Sequence, residues 1–167
     1  MPKAAYTRPH NMDINYSLPR PIFNVRIYGI LIENGSILVS DEMHNGRKIT
    51  KLPGGGLQFG ESTHECLKRE FMEELTLEIT VKTHFYTVDF FQASAFDPTQ
   101  QVISIYYLVE NLSGSAISVA TSKYDFNSEQ NGSQSLRWVA IKNLQPEEFT
   151  FTIDQKVSGL IAEYFKG

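Results

Sequence analysis

The sequence predicts one mixed domain of the α/β (α+β) class, and three observations carry that expectation. A strand-like run, Asn24–Glu33, ends on Asn34-Gly35, the two-residue signal of a β-hairpin. The segment from Ser62 to Leu75 opens with a capping pattern and repeats apolar residues at helical spacing. Further strand-like runs then lead to a second helical pattern near the end of the chain, so helices should cover a sheet. A length of 167 residues suits a single domain and buries a core without disulfide or metal staples.

The elements follow in order. Residues 1–21 carry Pro2, Pro9, Pro19 and Pro21 with little periodicity and read as an extended arm. Its Tyr6 and Tyr16, with Phe23 just beyond, are candidates for covering a second subunit in a homodimer. Residues 22–167 form the domain itself. Asn24–Glu33 is rich in β-branched and aromatic residues, and Ser36–Ser40 returns after the hairpin turn. Asp41–Lys48 reads as a polar loop. Gly54, Gly55 and Gly56 mark backbone that bends sharply or approaches something closely, rather than the interior of an element. In the helix, Leu67, Phe71 and Leu75 make the buried stripe with Met72 on its flank. Ile79–Phe91 and Val102–Glu110 read as strands, Ser113–Ser135 mostly as loop, and Leu136–Ile141 as a last strand. Ile153–Phe165 spaces Val157, Leu160, Ile161 and Tyr164 as a closing helix.

Composition excludes several classes. With 41% hydrophobic and 20% charged residues, the chain is globular rather than disordered. Its longest apolar run, Ile22–Ile32, is broken by Asn24 and Arg26, so no membrane span is expected. The opening Met1-Pro2-Lys3-Ala4-Ala5-Tyr6 lacks the apolar core of a secretory signal, and the lone Cys66 fits a reducing compartment; the cytoplasm is the expected location. A pI near 5.6 without a basic run gives no nucleic-acid footprint.

The charge is unevenly placed. The chain has 19 acids and 15 bases, a net charge of −4. The segment Glu61–Glu78 holds Glu61, Glu65, Glu70, Glu73, Glu74 and Glu78 against Lys68 and Arg69, so the whole excess lies there. Glu70, Glu73 and Glu74 share one helical face and repel one another, with no lysine four residues on to relieve them. A solvated acidic face is the plain alternative, but the local repulsion argues for a compensating cation. Ligands that are all oxygen favour magnesium, manganese or calcium. His10, His44, His64 and His84 are scattered without zinc-ligand spacing. The glycine run just before the helix sets bare backbone beside these acids, which suits a polyanionic substrate.

The segment Gly55-x5-Glu61-x7-Arg69-Glu70-Phe71-x-Glu73-Glu74-x-Thr76-Leu77 resembles the Nudix box, the signature of the Nudix hydrolase family. Every charged position matches at the family's spacing, and the order of flanking elements is similar over residues 22–166. One position departs: Thr76 stands where the family usually has glycine, and a β-branched residue adopts the expected positive φ poorly. The resemblance implies a Nudix fold, a mixed sheet between helices with the box as loop-helix-loop. It implies hydrolysis of a nucleoside diphosphate linked to another moiety, such as ADP-ribose, a sugar nucleotide or a nucleoside triphosphate, with Mg2+ or Mn2+.

Residue roles follow from the same resemblance. Glu70 and Glu74 match the principal metal ligands, Glu73 joins them or positions water, and the carbonyl of Gly55 completes the shell. Gly54, Gly55 and Gly56 form the substrate-phosphate loop, Arg69 braces the glutamates, and Glu61 supports the site from outside. The general base is Glu70 or Glu73 in some members and a later loop glutamate in others; Glu129 is the best placed here and Glu110 second. Trp138 reads as core rather than as a base-stacking surface. Glu78–Phe96 contains no proline, and its one tyrosine, Tyr86, falls early, so the residues that separate Nudix subfamilies do not name the substrate. Two other classes stand beside the hydrolase. One is a non-catalytic Nudix-like module that senses a nucleotide ligand, and the other an isomerase dependent on Cys66, which lies inside the box helix.

Overall fold

The computed structural model describes residues 22–114 and 116–165; the arm expected over residues 1–21, with Tyr6 and Tyr16, lies outside the described residues. Strand β1 (Ile22–Glu33) runs through a seven-stranded mixed sheet. Its end turns at Asn34 and Gly35, with φ of 47° and 71°, a doubly left-handed turn whose twist suits a hairpin. Strand β2 (Ser36–His44) returns with Ile37 opposite Ile32.

The loop expected over residues 41–48 is a strand and a hairpin instead. Strand β2 continues to His44, the chain turns at Asn45 and Gly46 with φ of 50° and 72°, and β3 (Arg47–Lys51) pairs back along it. Polar residues can occupy this buried strand because each finds a partner. Asp41 accepts from the Thr50 hydroxyl at 2.6 Å and from Arg137 Nε at 2.6 Å, and the Ser40 hydroxyl donates to Glu42 at 2.8 Å.

The glycine run also belongs to a regular element. It forms the short strand β4 (Gly54–Gly56), antiparallel to Arg26–Tyr28 of β1. A side chain is excluded at Gly54, where φ is 134° and a Cβ would lie 2.2 Å from the Ile27 carbonyl oxygen. Helix α1 (Thr63–Leu75) follows. Strands β5 (Ile79–Thr87) and β6 (Gln100–Asn111) then form an antiparallel pair. Strand β5 ends short of the expected Phe91 after two register irregularities against β6. Strand β7 (Gln134–Ala140) pairs with β2, and helix α2 (Thr152–Tyr164) closes the described chain. The strand order is β3-β2-β1-β6-β5, with β4 on β1 and β7 on β2; β1 and β6 are parallel.

Alternate residues of β1 serve the two faces. Ile27 and Leu31 join Cys66, Leu67 and Phe71 beneath α1, whereas Tyr28 and Ile30 join Ile153, Val157 and Ile161 beneath α2. The sheet therefore lies between helices. Gly29, between Ile27 and Leu31, makes room for α1: a Cβ there would stand 2.6 Å from the Phe71 ring. Of the expected helix stripe, Leu67 and Phe71 are fully buried, Leu75 is half-buried and Met72 is exposed, while Cys66 is buried with Leu67 and Phe71. In α2, Val157 and Ile161 are buried while Tyr164 is exposed. Trp138 is half-buried against the α1-side core. No described helix is long and apolar enough to cross a membrane.

Candidate active site

The site is built on the first turns of α1. Ser62 caps the helix by accepting from the Glu65 amide at 3.2 Å, and the Glu65 carboxylate accepts from the Ser62 amide at 2.8 Å. This reciprocal cap fixes where the helix starts and hence where its later glutamates point. At the other end Thr76 takes the left-handed conformation, φ 52° and ψ 38°, and its amide reaches the Met72 carbonyl at 3.1 Å. The threonine thus adopts the shape expected of the family's glycine, and the helix exit is kept.

Arg69 gathers the acids. Its Nε donates to Glu61 at 3.0 Å and its Nη2 to Glu61 at 2.7 Å, a two-pronged pairing, while Nη1 donates to Glu70 at 2.8 Å and to Glu73 at 3.1 Å. Nη2 also donates to the Gly56 carbonyl at 3.2 Å. The Arg69 guanidinium holds the Glu61 carboxyl down at about 2 and is itself raised by the carboxylates around it. Of the expected site, Gly55, Gly56, Glu61, Arg69, Glu70 and Glu73 are brought together.

Glu70 meets the glycine strand directly. Its carboxylate occupies the space beside Gly55, so a Cβ there would lie 2.3 Å from the carboxylate carbon and oxygen. Glu74 faces another cation. The Lys51 ammonium, 5% exposed, lies 3.9 Å from Glu74 and 2.9 Å from Glu42, and donates to the Gly54 carbonyl at 2.8 Å. Burial works against the Lys51 charge, yet Glu42 and Glu74 outweigh it and hold its pKa above the ordinary value. Burial raises the Glu74 carboxyl, and Glu42 and Glu70 push the same way against Lys51.

The sequence offers no lysine four residues on from these glutamates and leaves only Arg69 to brace them; the structure adds a second cation from outside the helix. Arg69 relieves Glu70 and Glu73, and Lys51, from a different strand, relieves Glu74. With the carboxylates turned onto these cations, no three acid, His or Cys side chains among the described residues enclose an ion. The donor set nevertheless suits a hard divalent cation. It is all oxygen, it adjoins bare backbone at Gly55, and Glu42 and Glu70 raise the cost of the Glu74 charge.

The later-loop candidates stand elsewhere. Glu129 is 63% exposed and pairs with Lys48 of β3, and Glu110 pairs with Lys82 at 3.1 Å across β5 and β6. Burial pushes the Cys66 thiol up to about 12, with Glu61 adding to it, so it stays a neutral thiol and offers no nucleophile. His44 edges against Phe96, while His64 and His84 flank Tyr107.

Glu42 and Lys51 are the residues that sequence reasoning missed. Asn45-Gly46 carried the signal: as a hairpin it extends β2 through Glu42 and brings Lys51 back beside it, with Ser40 opposite Lys51. A cavity of about 290 Å³ opens beside this pair and runs back to Asp154 on α2.

Comparison with known proteins agrees with this fold. The NUDIX domain family model matches residues 23–158. A NUDIX hydrolase structure from Nitrosomonas europaea is similar at 15% identity, over 86% of this chain and 90% of that one, with a TM-score of 0.63. The MutT protein from Methanosarcina mazei Go1 matches at 19% identity over 90% and 100%, also with a TM-score of 0.63. An ADP-ribose pyrophosphatase from Streptococcus suis matches at 16% identity over 86% and 92%, with a TM-score of 0.57. At these identities the likeness is one of fold.

Proposed function

The chain belongs to the NUDIX domain family of pyrophosphohydrolases, and on that premise we propose that it hydrolyses the diphosphate linkage of a nucleoside diphosphate joined to another moiety, with a divalent cation. One observation carries this reading: the Glu70 carboxylate fills the space beside Gly55, so acid and bare backbone form one continuous surface.

Glu70, Glu73, Glu74 and the Gly55 carbonyl would hold the cation, Mg2+ first and Mn2+ second. When bound there, a divalent ion supplies charge neutralisation for the phosphates and a lowered pKa for water. The chain's own groups do the remaining work. Arg69 holds Glu70 and Glu73 on one side of the helix, and Glu61 anchors Arg69 in turn. Glu73, at 59% exposure, has room to accept the proton of an attacking water, and Glu70 is the alternative within the box. Glu129 is the loop alternative, freed if Lys48 lets it go. The cavity beside Glu42 and Lys51 takes the part of the substrate beyond the phosphates.

The test is a panel of ADP-ribose, sugar nucleotides, dinucleoside polyphosphates and oxidised nucleotides, incubated with Mg2+. At least one should be cleaved at its diphosphate, and Glu74→Gln should lower kcat by about 100-fold or more. Failure to cleave any of them, or an unchanged rate in Glu74→Gln, would leave a nucleotide-sensing module without catalysis.

A further inference from the structure

The acids of α1 are served by Arg69 and Lys51, and these cations are held differently. Arg69 rides on the helix with the glutamates it pairs, whereas Lys51 comes from β3 and is 5% exposed. An ammonium has three donors and no acceptor. One reaches the Gly54 carbonyl at 2.8 Å and another the Glu42 carboxylate at 2.9 Å. Glu74, at 3.9 Å, is within ion-pair range but beyond a hydrogen bond. Lys51 is therefore anchored without Glu74, and Glu74 can turn to another cation without releasing it.

The anchors are fixed in turn. The Ser40 hydroxyl donates to Glu42 at 2.8 Å and accepts from Gln134 Nε2 at 2.9 Å. Gly54 pairs with Tyr28 of β1, whose ring also faces the ammonium at 5.7 Å. Leu52, the next residue, is fully buried and keeps the Lys51 backbone in place. Glu74 is tied more loosely: it is 28% exposed, with Gln134 Nε2 3.5 Å away. Burial raises its carboxyl, and of the charges near it Lys51 acts most strongly, ahead of Glu42 and Glu70. From where Glu74 stands, the Glu42–Lys51 pair is therefore a net positive charge.

We propose that Lys51 is a fixed counter-cation of Glu74 that opposes the divalent ion and holds down the affinity of the site for metal. The inference rests on the metal-dependent reading above, in which Glu74 is a ligand. Electrostatics gives the sign. A divalent ion that takes Glu74 must share that carboxylate with an ammonium whose other partners keep it from withdrawing, so each cation raises the cost of the other. Between bulk water and a protein surface, a unit charge about 4 Å away shifts an equilibrium by about 5-fold to several hundredfold. Glu42 offsets part of the Lys51 charge and Glu74 is partly open to water, so the expected effect lies near the lower end, about 10-fold. Lys51 acts through Glu74, and its mark falls on metal affinity rather than on the chemical step.

Mn2+ binding to the protein without substrate, read by electron paramagnetic resonance, tests this and needs no turnover. Lys51→Met should bind Mn2+ about 10-fold more tightly than wild type, and Lys51→Arg, which keeps the charge, should stay within about threefold of it. A lysine that served only to hold the Gly54 strand would show the opposite sign, because its loss would loosen the site and weaken Mn2+. The melting temperature gives a second readout: its gain from EDTA to millimolar Mg2+ should be larger in Lys51→Met than in wild type. If Lys51→Met does not fold, the double variant with Glu42→Gln decides, since it removes the acid left facing no ammonium. It should still bind Mn2+ more tightly than wild type, because Lys51 outweighs Glu42 at Glu74. Unchanged or weaker Mn2+ binding in whichever of these two variants folds, tightening in Lys51→Arg equal to that in Lys51→Met, or no larger gain in melting temperature would each overturn the proposal. Mn2+ affinity indifferent to Lys51, with Mg2+-dependent cleavage intact, would sink this proposal and spare the hydrolase; tighter Mn2+ without cleavage of any panel compound would do the reverse.

Discussion

Gly55 and Gly56 are neighbours in sequence, yet the structure predicts opposite outcomes for the same substitution. A methyl group at Gly55 would lie 2.3 Å from the Glu70 carboxylate, where ordinary contact begins at 3.4 Å, so Glu70 must retreat by about 1 Å. Displacements of that size at a catalytic group cost about 100-fold in rate, so Gly55→Ala should lower kcat/KM by about that factor. At Gly56 the new methyl meets only Arg26 Nη1, at 3.9 Å, and Gly56→Ala should change the rate less than about threefold. Neither position has the positive φ that would strain alanine, so both variants should fold. The assay is nucleotide release with Mg2+ on whichever panel compound is cleaved, paired with Mn2+ affinity read by electron paramagnetic resonance and a thermal melt. Affinity should fall in Gly55→Ala and hold in Gly56→Ala. Equal rates in the two variants, or Gly55→Ala within threefold of wild type, would refute the view that Glu70 is positioned by the bare backbone beside it.

Three further outcomes follow from the fold and its charges. Gly29→Ala would press a methyl to 2.6 Å from the Phe71 ring and should destabilise by about 1–3 kcal/mol in urea titration; an unchanged midpoint would mean that α1 can shift without loss. Thr76→Gly should stabilise by about 1 kcal/mol, because glycine takes φ 52° without the steric cost a β-branched residue bears, and a loss of stability would show that the threonine side chain contributes contacts. Asp154 has a native pKa of about 6 against an ordinary 3.8, so the native state holds a proton that the unfolded state releases. Its stabilising contribution is full below pH 3.8 and is lost as pH rises through 6. Relative to Asp154→Asn, wild type should therefore lose about 3 kcal/mol across that window, and parallel stability curves would contradict the burial of this carboxyl.

What the sequence determined by itself is what local geometry controls. Ser62 and Glu65 cap each other three residues apart, and Leu67 and Phe71 recur every four, so the start of α1 and its buried face were readable. The same spacing placed Glu70, Glu73 and Glu74 together and set Arg69 within reach of two of them. Asn34-Gly35 announced its hairpin because the turn demands two positive φ values. Asn45-Gly46 announced a second in the same way, but the polar Asp41 and Glu42 around it suggested a loop. That suggestion failed for a long-range reason: Asp41 is satisfied by Arg137, 96 residues away in sequence.

Only the tertiary structure decided the rest, because the energies involved arise between residues distant in the chain. The glycine run became a strand when β1 supplied its hydrogen bonds. Thr76 accepted a left-handed conformation because the helix end, anchored by Phe71 and Leu77 in the core, requires one there. The charge neutralising Glu74 came from Lys51 on strand β3, and Asp154 acquired its raised pKa by being buried in the first turn of α2, against the pull of its Tyr106 hydrogen bond. A sequence shows which charges it contains; which are desolvated, and what faces them there, depends on the packing of the sheet between its helices.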